Sequence, residues 1–365
     1  MARKLIITIS LFIFIVSGAF AVDVTATLPS LFYEGDLIDV GDFDITDVTA
    51  PAEENLKIFD SMNRLTQAFG NANSYAADAA TTRGLMGYRF ITVAAGTMIG
   101  LQFPDNDFTA IDDSLSRIEK EGDAYFGAAL QGITVSVGVN AGLLVDGLYL
   151  TGKAGRFNMD TDDLTFDSSV FGLLANYQII NPRSLLGAVR WRGVQAGAGL
   201  VYYTSTSSFN VASETVEVTK EITHNGITED ATLFLDPSFK AEVTSSGFKV
   251  PLDLITGIRL LWVANLNFGV GMDLNLGSRS EVSYTADGRT YFGGDIMEVG
   301  DVTQTPGSVT IKGGTKGDGA ELMRLRAMAG FGIGVGPLKI DIPFTYYFDD
   351  EGPGVNLGIT GAVTL

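Results

Sequence analysis

The only histidine of this 365-residue chain is His224. It stands in Thr219-Lys220-Glu221-Ile222-Thr223-His224-Asn225-Gly226, a polar stretch that ends in a hairpin dipeptide. A nucleophilic hydroxyl needs a base within reach, so a serine paired with His224 is the acyl-transfer arrangement to weigh. The neighbouring Asn225-Gly226 instead makes His224 a solvated turn residue. No Gly-x-Ser-x-Gly, His-Glu-x-x-His or phosphate-binding loop occurs. Asp105-Asn106-Asp107 opens like a calcium loop, but Ala110 stands where the sharp turn needs glycine and Ser116 where the bidentate glutamate belongs. No enzyme activity, metal or cofactor is therefore expected.

The residues with more to say are charges set within alternating segments. Lys249, Asp253, Asp273, Arg324, Arg326, Lys339 and Asp341 take the parity opposite to apolar neighbours such as Val250, Leu252 and Leu254. A charge facing hydrocarbon at the bilayer midplane costs about 2–4 kcal/mol, so these seven are expected to face an enclosed polar interior. Both signs are present, which predicts a mutually paired lumen network over a selectivity ring. Gly138, Gly142, Gly197, Gly199, Gly269, Gly271, Gly330, Gly332 and Gly334 share that inward parity. Glycine in a strand marks close approach of another backbone or a bend in the wall, and we expect these to make room for an N-terminal segment.

Such an interior needs strands that alternate. Val355, Leu357, Ile359, Val363 and Leu365 point one way, and Asn356, Gly358, Thr360, Ala362 and Thr364 the other. About 9 to 11 residues in this pattern cross a bilayer as one stave of a barrel. Ten strands are predicted, near 88–103, 130–145, 148–158, 166–180, 188–204, 231–254, 260–276, 321–335, 338–348 and 355–365. The parity flip across Thr244-Ser245-Ser246-Gly247 predicts a bulge in the sixth. Tight turns fall at Asp146-Gly147, Asn181-Pro182, Thr256-Gly257 and Gly336-Pro337, and long loops at 104–129, 205–230 and 277–320. Short turns face the periplasm in outer-membrane barrels, which places both barrel ends there. Arg190 and Arg192 share the outward parity of Val194, at a strand start from which they can snorkel. Trp191, Trp262, Tyr202, Tyr203, Tyr346 and Tyr347 suit interfacial girdles.

Residues 1–21 read as a signal peptide: Arg3 and Lys4, an apolar run Leu5 to Val16, then Ala19-Phe20-Ala21 as the cleavage site. Residues 22–86 do not alternate. Within them, Glu53 to Phe69 places Ile58, Met62, Leu65 and Phe69 at helical spacing behind Pro51, with a stop at Gly70. Asn71 to Ala80 is expected to be an irregular connector. The predicted organisation is a signal peptide at 1–21, a partly helical plug at 22–86 in the lumen or across its periplasmic mouth, and an all-β antiparallel transmembrane barrel at 87–365.

Composition agrees. The chain is 46% hydrophobic and only 18% charged, yet lacks the long apolar run of a helical membrane protein, because barrel strands hide apolar residues at alternate positions. The net charge of −19 argues against nucleic acid. Ten carboxylates between Asp23 and Asp60 face the single Lys57, and seven more lie between Asp105 and Asp123; both read as solvated acidic surface. Zero cysteine fits export without a disulfide framework.

Together these features resemble the bacterial outer-membrane β-barrel class, across almost the whole chain. The resemblance implies residence in the outer membrane after cleavage at Ala21, with membrane lipids and the barrel assembly machinery as partners; Leu365 departs from the terminal Phe or Trp usual there. A second resemblance is to the long-chain fatty-acid transporters of the FadL type, whose N-terminal segment plugs the barrel. It rests on Phe69-Gly70-Asn71-Ala72-Asn73-Ser74-Tyr75-Ala76-Ala77-Asp78-Ala79-Ala80 before the first strand. The Asn-Pro-Ala motif of that family is missing and it has fourteen strands. The likeness implies a small hydrophobic solute. The function expected is a plugged channel for passage or binding of small molecules; the alternative is a surface protein or adhesin acting through loops 205–230 and 277–320.

Overall fold

A computed structural model describes residues 23–38, 43, 62–81, 90–104, 125–161, 164–212, 215–224, 227–298, 302–349 and 352–365. The signal peptide, the first part of the predicted helix, the Asp105–Asp123 stretch and Asn225-Gly226 lie outside them.

The wall is a closed ring of ten antiparallel strands. In chain order these are β4 (Ile91–Gln102), β5 (Gly127–Asn140), β6 (Leu148–Asp160), β7 (Leu164–Ile180), β9 (Val189–Ala212), β11 (Ile227–Leu260), β12 (Ala264–Gly293), β15 (Met323–Val335), β16 (Leu338–Phe348) and β17 (Gly354–Thr364). Each pairs with the next, and β17 closes on β4 from Gly354↔Gln102 to Thr364↔Thr92. Closure is obligatory in hydrocarbon, where no water satisfies an open edge. Outward residues along β5 are apolar and exposed (Ile133 70%, Val137 44%), while inward Thr134 and Ser136 are buried. That is the inverse of a soluble sandwich.

The strand count matches the alternation, and the ends of the strands differ from it. Ala141, Leu143 and Val145 belong to the turn after β5, which takes Gly142 out of the wall. The strand β11 passes straight through Thr256-Gly257, and the turn comes at Leu261–Val263, where Leu261 and Trp262 adopt positive φ (48° and 60°). The bulge predicted in the sixth strand lies instead in its partner: the β11–β12 register shifts between Ser246 and Phe248 with the extra residue on β12, at Gly277 (φ 58°), while β11 keeps its odd residues buried from Ala241 to Ile255. A second one was not legible. Gly193 has φ 77°, and the ladders beside it shift register between Gln178 and Ile180 and between Thr256 and Ile258. The shift turns Arg192 inward, its Cδ lying over the inner side of Gly257, and puts Arg190 on the same face as its register partner Arg259, so the outward placement of Arg190 and Arg192 is corrected. Between β7 and β9 the short β8 (Arg183–Leu186) pairs back onto β9.

The connections expected as loops at 205–230 and 277–320 are mostly strand where they are described. The 34 residues of β11 and the 30 of β12 far exceed the roughly 10 that cross a bilayer, so both run on past the membrane. Out there β11 pairs with β10 (Val216–His224), and β12 pairs with β14 (Gly307–Asp318), to which β1 (Asp23–Thr27) adds. A small sheet of β2 (Ser30–Tyr33), β3 (Asp36–Ile38) and β13 (Val302–Thr305) lies against it. Leu31, Leu233, Leu235, Phe292 and Ile311 are at most 1% exposed and form one core. Burying such side chains contributes about 1.5–3 kcal/mol each, enough to hold the extension as a folded unit.

The N-terminal segment lies, in its described residues, at the long-strand end and inside the lumen. It pairs in the extension and returns as α1 (Met62–Ala76) across the long-strand end of the lumen. It then descends through a turn at Ala77–Ala80, and the chain enters β4 at the short-turn end, where Phe90 N–H donates to Leu365 O (2.7 Å). The helix runs through Gly70 to Ala76, which replaces the expected stop and the expected irregular connector: Asn71 to Ala76 are held helical by packing on all sides.

With short turns toward the periplasm, the residues of β1 face the outside. The chain has no native cysteine, so Thr25→Cys should react with a membrane-impermeant maleimide on intact cells, and Leu144→Cys only after the membrane is opened. The reverse pattern would invert the orientation. In the extension, Leu233→Ala should cost about 2–5 kcal/mol, seen as proteolysis of β10–β14 at lower temperature while the barrel stays folded.

Candidate functional site

Small residues let α1 approach the wall. Gly100 lies under the carbonyl of Ala72, Gly127 under that of Ala68, Gly317 against the Thr66 hydroxyl and Gly354 against the Tyr75 ring; a Cβ at any of them would collide. These are the glycines the helix rests on, and none is among the nine picked out by parity. The nearest neighbours of Gly197, Gly199, Gly269, Gly271, Gly330, Gly332 and Gly334 are wall residues. Gly332, for example, makes room for Asp341, and Gly271 for Asp253 and Arg326. Gly138 faces inward among buried neighbours. Their common effect is to let long side chains lie across the inner wall.

Below the helix sits an ion cluster. Asp78, in the turn after α1, accepts from Lys249 Nζ (2.9 Å) and Arg326 Nη1 (2.8 Å). Asp273 bridges the same two cations at 2.8 and 3.0 Å, and Asp253 meets Arg326 Nη2 at 2.5 Å. Every one of these side chains is at most 4% exposed. Lys153 supplies a third cation, donating to the carbonyls of Ala77 (2.5 Å) and Ala79 (3.2 Å), and Lys249 also donates to Ser74 O (2.9 Å). Two lysines thus cover the last carbonyls of the helix and its turn, where the helix dipole favours positive charge. Three cations face three carboxylates, and one of those carboxylates belongs to the plug.

A second cluster lies at the outer mouth. Arg324 pairs with Asp349 (2.6 Å) and Glu321 (2.8 Å), and donates to Gln102 Oε1 (3.0 Å), to the Tyr125 hydroxyl (3.0 Å) and to the Tyr75 hydroxyl. Tyr125, in the connection before β5, donates to Asp349 (2.6 Å) and accepts from Asn71 of the helix (3.1 Å). Burial pushes the Tyr125 phenol well above its ordinary range, so it keeps the proton that this bond needs. Tyr75 stacks on Tyr347 at 3.8 Å between ring centres, and Asn356 donates to Tyr75 O (3.1 Å).

The seven charges read from parity thus divide. Lys249, Asp253, Asp273 and Arg326 share one cluster, Arg324 anchors the other, and Lys339 and Asp341 lie toward the short-turn end. Between them and the plug is a small cavity bordered by Thr81, Met98, Ile255, Asn267 and Asp341. Sequence reading missed Asp78, Tyr75, Lys153 and Asp349. Asp78 was the lone charge in a run of small residues, and Lys153 has the inward parity of β6; those were the available signals. Of the six girdle aromatics, Tyr203 and Tyr347 point inward at 2% and 0% exposure, while Trp262 is 67% exposed at the short turn. Trp191 donates to Thr256 (2.8 Å).

These features define a membrane-spanning ten-stranded β-barrel closed by its own N-terminal segment. The family described as Lsa36-like matches residues 21–363, and the chain belongs to that family. No curated protein matches it. Among solved structures, the translocator domain of the autotransporter NalP from Neisseria meningitidis is 12% identical, with a TM-score of 0.28 over 88% of this chain and 100% of that one. The Pseudomonas putida toluene transporter TodX is 9% identical (TM-score 0.24; 82% and 94% covered), as is a Pseudomonas aeruginosa FadL homologue (TM-score 0.22; 82% and 98%). At those scores the fold rests on the strand register above, not on these likenesses.

Breaking a buried pair by removing one partner costs about 3–5 kcal/mol, because the other charge is left stranded. Asp78→Ala should therefore lower the temperature at which the folded band of a heat-modifiable gel is lost. It should also make residues 62–81 cleavable by protease in detergent micelles. Gly100→Val should do the same by steric exclusion of the helix.

Proposed function

We propose that this protein is a non-catalytic outer-membrane β-barrel, exported by cleavage after Ala21, whose lumen opens to small molecules only when its N-terminal plug shifts. The observation that carries the reading is the nature of the contacts that hold the plug. Within the barrel they are dominated by ion pairs and hydrogen bonds over a wall of glycine, serine, threonine and asparagine, with small apolar contacts such as Ala77 against Val170 and Val201, while Leu65 at the start of the helix joins the core of the extension. Buried ion pairs hold less strongly than their distances suggest, since water solvates the freed charges, so a plug bound this way can leave a wetted lumen. A polar wall favours small polar solutes over the hydrophobic ones that the FadL likeness implies. Lipids and the assembly machinery remain its proposed partners.

In planar bilayers the intact protein should be closed, with brief openings, and deletion of residues 62–81 should produce steady ohmic conductance. A silent bilayer for both would exclude passage through the lumen.

A second reading has its own support. The extension built by β9 to β14 and β1 to β3 has a hydrophobic core of its own beyond the membrane, to which the helix adds Leu65, as a surface-binding unit on a membrane anchor would. Binding of cells carrying the protein to a matrix that disappears when residues 213–226 and 294–306 are shortened, with bilayers silent, would favour this reading over transport.

A further inference from the structure

The chain is acidic overall, with a net charge of −19, yet its short-turn end is basic. Among the described residues there, Arg183, Arg190, Arg192, Arg259 and Lys339 stand against Asp146 and Asp341. Four of the five cations, all but Arg183, fall on the inward face, Arg190 as the register partner of Arg259. Arg192 is turned inward by the Gly193 bulge and lies over Gly257. Arg259, two residues further along β11, donates to Trp262 O (2.9 Å). Lys339 lies over Gly334, which leaves room for its stem beside Asn265. Arg192, Arg259 and Lys339 are within electrostatic reach of one another, and Asp341 is the carboxylate beside Arg192. Asp341 is itself 4% exposed and accepts from Asn267 (3.4 Å).

Like charges gathered from β9, β11 and β16 repel, and one carboxylate offsets only one of them. Nothing in strand geometry requires them to converge: the Gly193 bulge and the bare Gly257, Gly332 and Gly334 are what bring them together. Low-dielectric walls around such a mouth focus a positive potential along its axis. Guanidinium forks flanked by an ammonium suit a tetrahedral or planar oxyanion.

We propose that Arg192, Arg259 and Lys339 form an anion-binding site at the short-turn mouth of the lumen, taking a phosphate-type oxyanion. The source is either a free small solute or a phospholipid headgroup, and the site exists whether or not the lumen conducts. Both tryptophans of the chain, Trp191 and Trp262, flank this mouth and report on it.

The test is a titration of the full-length mature protein with inorganic phosphate in non-ionic detergent, followed by tryptophan fluorescence. Sodium chloride at matched ionic strength serves as the control. A saturable change beyond chloride is expected, weakened at least about tenfold, or roughly 1.4 kcal/mol, in Arg192→Gln/Lys339→Gln and near native in Lys339→Arg. If the double variant fails to refold, Lys339→Gln alone is read. A variant-sensitive change seen only in nanodiscs containing phosphatidylglycerol assigns the headgroup as ligand. No change beyond chloride in either setting, or the same affinity in the charge-removed variant, overturns the proposal. Because nothing here depends on current, its failure is separate from a failure of the conductance experiment.

Discussion

Hydrocarbon offers no hydrogen-bond partner, so every peptide group in the wall must find one in a neighbouring strand. The pairing of β17 with β4 closes the ring, and the rest of the molecule follows from that closure. A ring of ten is narrow, since diameter grows with strand number and eight strands are already filled by side chains. Apolar residues are taken up by the outer face, which leaves polar and small ones inside. An interior of that kind must be either wet or satisfied by the chain itself. Here α1 and its turn satisfy it.

Satisfying it electrostatically is the harder part. Arg326 and Lys249 are 0% exposed, and charges so placed persist only with partners. The wall provides Asp253 and Asp273, and the plug provides Asp78. The helix gives the Ser74 carbonyl to Lys249 and its turn gives those of Ala77 and Ala79 to Lys153, so the segment is bound by its backbone as well as by its side chains. This explains why the run from Asn71 to Ala80 is so poor in large residues: bulk there would keep the carbonyls out of reach of the lysines and the helix off Gly100 and Gly127.

The two ends of the barrel differ in kind. At the long end, β11 and β12 continue past the membrane and exchange a lipid-facing pattern for a water-facing one with its own core. On β12 the extra residue at Gly277 moves the buried positions from odd (Asp273, Asn275) to even (Ser280, Val282), while β11 keeps one face inward and changes only what that face carries, apolar in the extension and charged in the barrel. At the short end the turns are tight, and the bulge at Gly193 performs the same reversal on Arg192. Both bulges sit at glycines and neither is marked by a flip of hydrophobic parity; the flip that is visible, in β11, comes from what its inner face holds on either side of Gly247.

Alternation along the chain determined the number of strands, their order and which face of each meets lipid, because a period of two is a local property of the backbone. It also placed Lys249, Asp253, Asp273, Arg324 and Arg326 inside, through the cost of charge in hydrocarbon. What it could not determine was which inward groups meet, because residues such as Asp78 and Arg326 are 248 positions apart and come together only when the ring closes around the plug. The helix through Gly70, the reversal of Arg192 and the long strands in place of loops were likewise decided by tertiary contacts. Close packing overrode glycine's reluctance in a helix, and a core formed between distant hairpins gave polar segments a reason to remain extended.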